Sequence, residues 1–248
     1  MARYPDRPVT DHDAPGRHAA VRVEQRPRAR AGSALIEVVV VIILALGLSA
    51  LIKTFLVQSF FIPSGSMENT LLVGDRILVE KITPRFGQVH RGDVVVFTDP
   101  GGWLGTSAVT QPTSGVSQLA HDVLVGIGVL PQDTEGDLVK RVIGVGGDTV
   151  SCCTDSGRIT VNGTPLREPY LYPGNSPSAQ PFSVTVPAGM LWVMGDHRAV
   201  SQDSRAHQQD AHGGMVPVSD VVGRVFVIIW PWDRAGGVGR PSTFSAVP

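Results

Sequence analysis

The chain has 248 residues, 42% of them hydrophobic and 17% charged, with a formal net charge of −1. This is enough apolar material for one sizeable core with a satellite subdomain, and too much for a disordered chain. A near-neutral balance without a basic stripe excludes nucleic acid as a partner class.

Residues 1–32 hold seven arginines (Arg3, Arg7, Arg17, Arg22, Arg26, Arg28, Arg30) against four acids (Asp6, Asp11, Asp13, Glu24), without apolar periodicity. The pattern predicts a disordered, Arg-rich tail. Ala34 to Val57 then reads ALIEVVVVIILALGLSALIKTFLV, with 15 uncharged residues between Val38 and Ile52 and only Glu37 and Lys53 charged. With its flanks the run reaches the ~20 residues that span a bilayer, and Lys53 can snorkel to the interface. Residues 33–57 are expected to form a single transmembrane helix. The basic tail before it places the N-terminus in the cytoplasm and everything after Val57 outside. A cleaved secretory signal, with Ala45, Gly47 and Ser49 as a processing site, and a buried core helix are the alternatives. The run is long for the first, and its consecutive valines and isoleucines leave no polar face for the second. Val221 to Trp232 is too short to span and is cut by Arg224 and Pro231.

From residue 58 to 235 the chain is short β-branched runs punctuated by Gly, Pro and Asp, which predicts a mainly β, extracytoplasmic all-β domain. Strands are expected at Arg76–Ile82, Asp93–Phe97, Leu138–Val145, Thr149–Cys152, Ile159–Val161, Phe182–Val186, Leu191–Met194 and Val222–Trp230. Asn162-Gly163 signals a two-residue hairpin inside a smaller β subdomain at about 152–187. Residues 99–136 break this rhythm with a Gly/Ser/Thr-rich stretch and one helix-length apolar segment, Val116–Leu130. They read as an insertion in a strand connection. Residues 236–248 are expected to be a disordered tail.

Chemistry concentrates at Ser64-Gly65-Ser66-Met67, a few residues beyond the apolar helix. A serine hydroxyl needs a base within hydrogen-bond reach, and no histidine lies near Ser66 in sequence. Lys140 is the candidate. In a strand over Leu138–Val145 it shares a face with Leu138 and Val142, and an apolar setting lowers a lysine pKa far enough to yield a neutral amine. Taken alone, Lys140 could equally be an edge-strand lysine pointing into water. Arg141, on the opposite face, stays charged and reads as structural. His197 reads as structural rather than as a base. The adjacent Cys152 and Cys153 can form a disulfide or remain thiols. No His/Cys/carboxylate spacing makes a metal site, so neither metal nor cofactor is expected.

In order after the apolar helix, SGSM (64–67), RGDVVVF (91–97), KRVIGVGGD (140–148) and GDHRAVSQDSR (195–205) resemble the successive boxes of type I signal peptidases, membrane-anchored serine-lysine endopeptidases. The likeness runs over about residues 34–233. It implies Ser66 as nucleophile, Lys140 as general base, and an oxyanion hole of the Ser64 hydroxyl and Ser66 N–H. It further implies Ser201 as the group orienting the lysine, with Asp196, Arg198, Asp203 and Arg205 supporting. Phe60, Ile62, Pro63, Met67, Leu71, Leu138 and Val139 would line substrate pockets that admit small residues at −1 and −3. The implied partners are signal peptides of secreted preproteins, membrane lipid and the protein-export translocon. His197 departs from the family's usual Asn, and Ala199-Val200 stand where polar residues are frequent. Two other functions share parts of this pattern: a self-cleaving repressor-type Ser-Lys protease, against which the apolar helix counts, and an inert anchored β module. Labelling of Ser66 by a serine-directed acylating probe separates the enzyme from the inert module.

Overall fold

In the computed structural model, residues 31–86, 88–105 and 136–248 are described, the side chains of a few helical residues excepted. The N-terminal tail and the expected helical segment of the insertion, Val116–Leu130, lie outside the described residues. Helix α1 runs Ala31–Phe55. Among the described residues, no helix is long and apolar enough to cross a membrane. The side chains described in α1 are those of 34–49 and Ile52, a shorter stretch than the ~20 residues of a span. Leu35, Ile36 and Val38 to Leu44 are all exposed, and seven consecutive exposed residues cover every face of a helix.

The remainder is mainly β. Strands β1 (Val57–Phe61), β2 (Arg76–Glu80), β3 (Val94–Thr98), β4 (Asp137–Val145), β5 (Thr149–Cys152), β6 (Ile159–Val161), β7 (Thr164–Pro165), β8 (Phe182–Thr185), β9 (Met190–Met194), β10 (Val216–Pro217), β11 (Val221–Trp230) and β12 (Gly236–Gly237) are joined by one short helix, α2 (Ile82–Phe86), and several 3-10 turns. An eight-stranded sheet has the order β1-β2-β11-β3-β4-β9-β10, with β12 on β11, and a four-stranded sheet has the order β7-β6-β5-β8. Every pairing is antiparallel. All eight expected strands form, within two residues of their expected ends. β1, β10 and β12 are additional: β10 and β12 have only two residues each, and β1 follows directly on the apolar run assigned to the helix. Asn162 and Gly163 both take positive φ, +50° and +77°, between β6 and β7, which a two-residue hairpin of this hand requires.

Period two explains how the large sheet is covered. In β3, Val94 and Val96 enter one cluster with Phe60, Ile77, Val79 and Val225. Val95 and Phe97 enter another with Val142, Leu191 and Val193. A third cluster joins the small sheet to the large one through Ile143, Val150, Ile159, Trp192 and Met194.

The tail is a correction. Residues 236–248 are ordered: β12 pairs with β11, and Phe244 and Val247, in and after the 3-10 turn Ser242–Ala246, are buried in the third cluster. Arg91 donates to the carbonyls of Val247 and Pro248, and Arg240 pairs with Asp93. A Gly/Ser/Pro-rich composition hid two well-placed apolar residues and their distant arginine partner. Cys152 and Cys153 are joined by a disulfide at the end of β5.

Candidate active site

Ser66 sits in the 3-10 turn Gly65–Met67, immediately after β1 and Pro63. Met67 and Leu71 are pulled into the core with Phe60 and Ile62, and this anchors the turn from below. Ser66 itself stays partly accessible. As the second residue of a 3-10 turn, its N–H has no acceptor within the turn. Ser64 precedes the turn in extended conformation, and its exposed side chain makes no capping hydrogen bond. Among the described residues, the hydroxyl has no hydrogen-bond partner.

Lys140, in β4, reaches this turn. Its Nζ lies 2.9 Å from Ser66 Oγ and donates to the Val139 carbonyl at 3.1 Å. The residue is 3% exposed, and Val95, its cross-strand partner, shares a cluster with Val142 and Leu138. Burial lowers the Lys140 pKa to about 8, against the opposing pull of the Asp203 and Asp196 carboxylates. Desolvation outweighs charge attraction here because both carboxylates already hold arginines.

Arg141 donates Nε and Nη2 to the two Asp196 oxygens at 2.9 and 2.7 Å, gives Nη1 to the Gly92 carbonyl, and lies 4.3 Å over the Tyr170 ring. Asp203 accepts from Gly195 N–H at 2.9 Å and from Arg205 Nε and Nη2 at 2.9 and 2.8 Å. Burial would raise the Asp203 carboxyl, but these donors hold it below the usual carboxylate range. Arg198 is partnered by Glu168 and donates to the Gly195 and Pro177 carbonyls. Asp196 thus pairs with Arg141 rather than with Arg198, its neighbour in the sequence box. Tyr170 donates to Glu168 at 2.9 Å, and burial, followed by the Glu168 charge, raises its pKa well above the usual value.

Gly195 is the tightest point. A Cβ placed there would stand 2.3 Å from Ser201 Oγ and 2.5 Å from the Ser66 carbonyl oxygen. Only glycine lets the 195–205 loop lie against the serine turn. His197 completes the contact by donating its N–H to the Ser66 carbonyl at 3.1 Å.

Ser201 is buried, but its hydroxyl makes no hydrogen bond among the described residues. It lies close enough to Asp203 to help hold that carboxyl ionised, whereas the Val139 carbonyl takes the lysine amine. The substrate-pocket residues also divide. Phe60, Ile62, Met67 and Leu71 are 0–3% exposed: alternation along β1 turns Phe60 inward, and all four join one core cluster. Pro63 is exposed, and Leu138 and Val139 are partly so. Of the seven, these three offer surface to a ligand. Sequence reading overlooked Thr70, Glu168, Tyr170 and Tyr172, all brought to the site by tertiary contacts, because a stretch such as EPYLYPG (168–174) reads simply as a loop.

A family model described as signal peptidase, peptidase S26, matches residues 35–230. The chain belongs to that family. It is 43% identical to the probable signal peptidase I of Mycobacterium leprae (strain TN) over 247 residues, covering 89% of this chain and 84% of that protein. Against the signal peptidase I of Mycobacterium tuberculosis (strain ATCC 25618 / H37Rv) the identity is 43% over 248 residues, covering 92% and 83%. Against that of Leptolyngbya laminosa it is 34% over 215 residues, covering 87% and 89%. As a peptidase S26 member, the chain is a hydrolase, and its family resemblance extends across both sheets.

Proposed function

We propose that this peptidase is a membrane-anchored serine endopeptidase that removes N-terminal signal peptides from exported preproteins, using Ser66 and Lys140 as a catalytic dyad. The observation that carries the reading is a buried lysine amine 2.9 Å from the hydroxyl of a partly exposed serine. A neutral Lys140 amine accepts the Ser66 proton as Oγ attacks the scissile carbonyl carbon. Negative charge then develops on the carbonyl oxygen, where the Ser66 N–H and the Ser64 hydroxyl are the available donors. One such donor is worth about 3–4 kcal/mol in related chemistry. The Lys140 ammonium returns its proton to the leaving amine, the C–N bond breaks, and an ester to Ser66 remains. Lys140 then takes a proton from water, whose oxygen attacks the ester, and the proton passes back to Ser66 Oγ as the acid is released.

Pro63, Leu138 and Val139 are the expected pocket residues with surface to offer, Leu138 and Val139 on opposite faces of β4, and small side chains at −1 and −3 would meet them on an extended peptide bound by strand addition. Helix α1 is the anchor in this reading, with the Arg-rich residues 1–32 cytoplasmic and the β domain outside. Its apolar surface on every face supports that role. Confinement to one plane with a substrate whose apolar segment is in the bilayer raises effective concentration. Membrane lipid and the export translocon are the corresponding partners.

The test is to incubate the purified full chain, in detergent micelles, with a preprotein and to identify the cut by mass spectrometry. Cleavage after a small residue, absent in Ser66→Ala and in Lys140→Ala, is the expected result. Cleavage surviving in either variant would remove the dyad.

A further inference from the structure

The serine turn is held on its outer side by the connection between β7 and β8, which belongs to the small sheet. Asn69, three residues after Ser66, takes a positive φ of +84° and donates Nδ2 to the Leu171 carbonyl at 3.0 Å. Tyr172 donates its N–H to the Asp196 carbonyl at 3.0 Å. Its ring stacks on the His197 imidazole, centroids 4.0 Å apart and planes inclined by 13°. His197 in turn donates its N–H to the Ser66 carbonyl, and its Nδ1 lies 3.1 Å from Glu68 Oε2, two residues beyond the serine. Asn175 Oδ1 accepts from Ala199 N–H at 2.9 Å. Residues 171–175 therefore touch both the turn that carries Ser66 and the loop that carries Asp196 and Asp203.

We infer that the Tyr172–His197 stack is a positioning device for the nucleophile, with Tyr172 acting through His197, whose imidazole meets the Glu68 carboxylate and whose main-chain N–H meets the Ser66 carbonyl. The inference rests on the peptidase reading above. The stacked ring limits rotation of the imidazole, which holds the turn at Glu68, while the His197 main-chain N–H holds it at Ser66. Asn69 fixes a third. A turn held at three points keeps Oγ at hydrogen-bond distance from Lys140, a requirement because a displacement of about 1 Å in reacting groups costs on the order of 100-fold in rate. Tyr172 is 38% exposed, so losing its ring removes little core. Its phenol makes no hydrogen bond among the described residues, and the ring alone carries the effect.

The experiment measures kcat and KM of the purified full chain on a peptide with Ala at −1 and −3, with wild type and Ser66→Ala as controls. Tyr172→Ala is expected to lower kcat on the order of 10- to 100-fold with KM within about 2-fold. Tyr172→Phe keeps the stack and is expected to restore kcat to within about 3-fold of wild type. The double variant Tyr172→Ala/His197→Ala is expected to be no slower than the slower single one, because both remove the same contact. A rise in KM at unchanged kcat would make Tyr172 a substrate contact and overturn the inference. So would additive losses in the double variant, or a Tyr172→Phe as slow as Tyr172→Ala. If wild type does not cut the peptide, it is the peptidase assignment that fails and not the stack.

Discussion

The pH dependence of cleavage follows from the burial of Lys140 and can be worked out in advance. In the proposed dyad the catalytic form carries a neutral Lys140 amine. With an ordinary lysine value near 10.5, roughly one molecule in 3,000 would be neutral at pH 7; with the lowered value of about 8, roughly one in ten is. Desolvation thus makes the base some 300-fold more available, by the same arithmetic. Because the competent form is the deprotonated one, kcat/KM is expected to rise with pH, about tenfold per unit well below 8, and to level off above 8. Between pH 6 and pH 8 the increase is roughly 50-fold. The assay is initial-rate cleavage of an Ala-X-Ala peptide from pH 5.5 to 9.5 at constant ionic strength. The limb should keep its midpoint in His197→Ala, whose imidazole is committed to Tyr172 and Glu68. A profile that changes less than fivefold between pH 6 and 8, or a limb that disappears in His197→Ala, would refute the assignment of Lys140 as the base.

The same burial carries a stability cost of opposite sign. Since the folded lysine pKa lies below the unfolded one, folding is penalised below the unfolded value of about 10.5, and the penalty is complete below about 8. At pH 7 it is about 3 kcal/mol, less roughly 1 kcal/mol for the hydrogen bond to Val139. Lys140→Met is therefore expected to be inactive yet about 2 kcal/mol more stable in urea unfolding at pH 7, with the gain fading as pH rises from 8 to 10.5. A less stable Lys140→Met protein would contradict this. Gly195→Ala should lower kcat on the order of 100-fold with a near-normal far-UV spectrum, since the added methyl meets the Ser66 carbonyl at 2.5 Å; single-turnover rates on a peptide check it. Replacing Ala at −1 of the substrate by Phe or a charged residue should stop cleavage, whereas Gly or Ser should be accepted, as read from competition between such peptides in one reaction. Efficient cutting after Phe would contradict the assignment of small pockets to Pro63, Leu138 and Val139.

The primary sequence by itself determined the elements with local signatures. Alternation in VVVF and DLVKRVIGV specified strands, Asn162-Gly163 specified a hairpin, and an unbroken apolar run specified helix α1, because period, turn chemistry and hydrophobicity are properties of neighbours along the chain. It also singled out Ser66 and Lys140, through motif order and the parity that puts Lys140 with Leu138 and Val142. Tertiary structure alone decided the rest. It chose Arg141 over Arg198 as the partner of Asp196, placed the Val139 carbonyl rather than Ser201 against the lysine amine, and buried Phe60 and Ile62, which were expected to line substrate pockets. It also ordered the glycine-rich tail by seating Phe244 and Val247 in the core. Each of these depends on side chains tens of residues apart meeting at hydrogen-bond or van der Waals distance. Such contacts leave no periodicity in the chain, and burial then makes the choice of partner decisive, since an unpaired buried charge costs more than any local preference can offset.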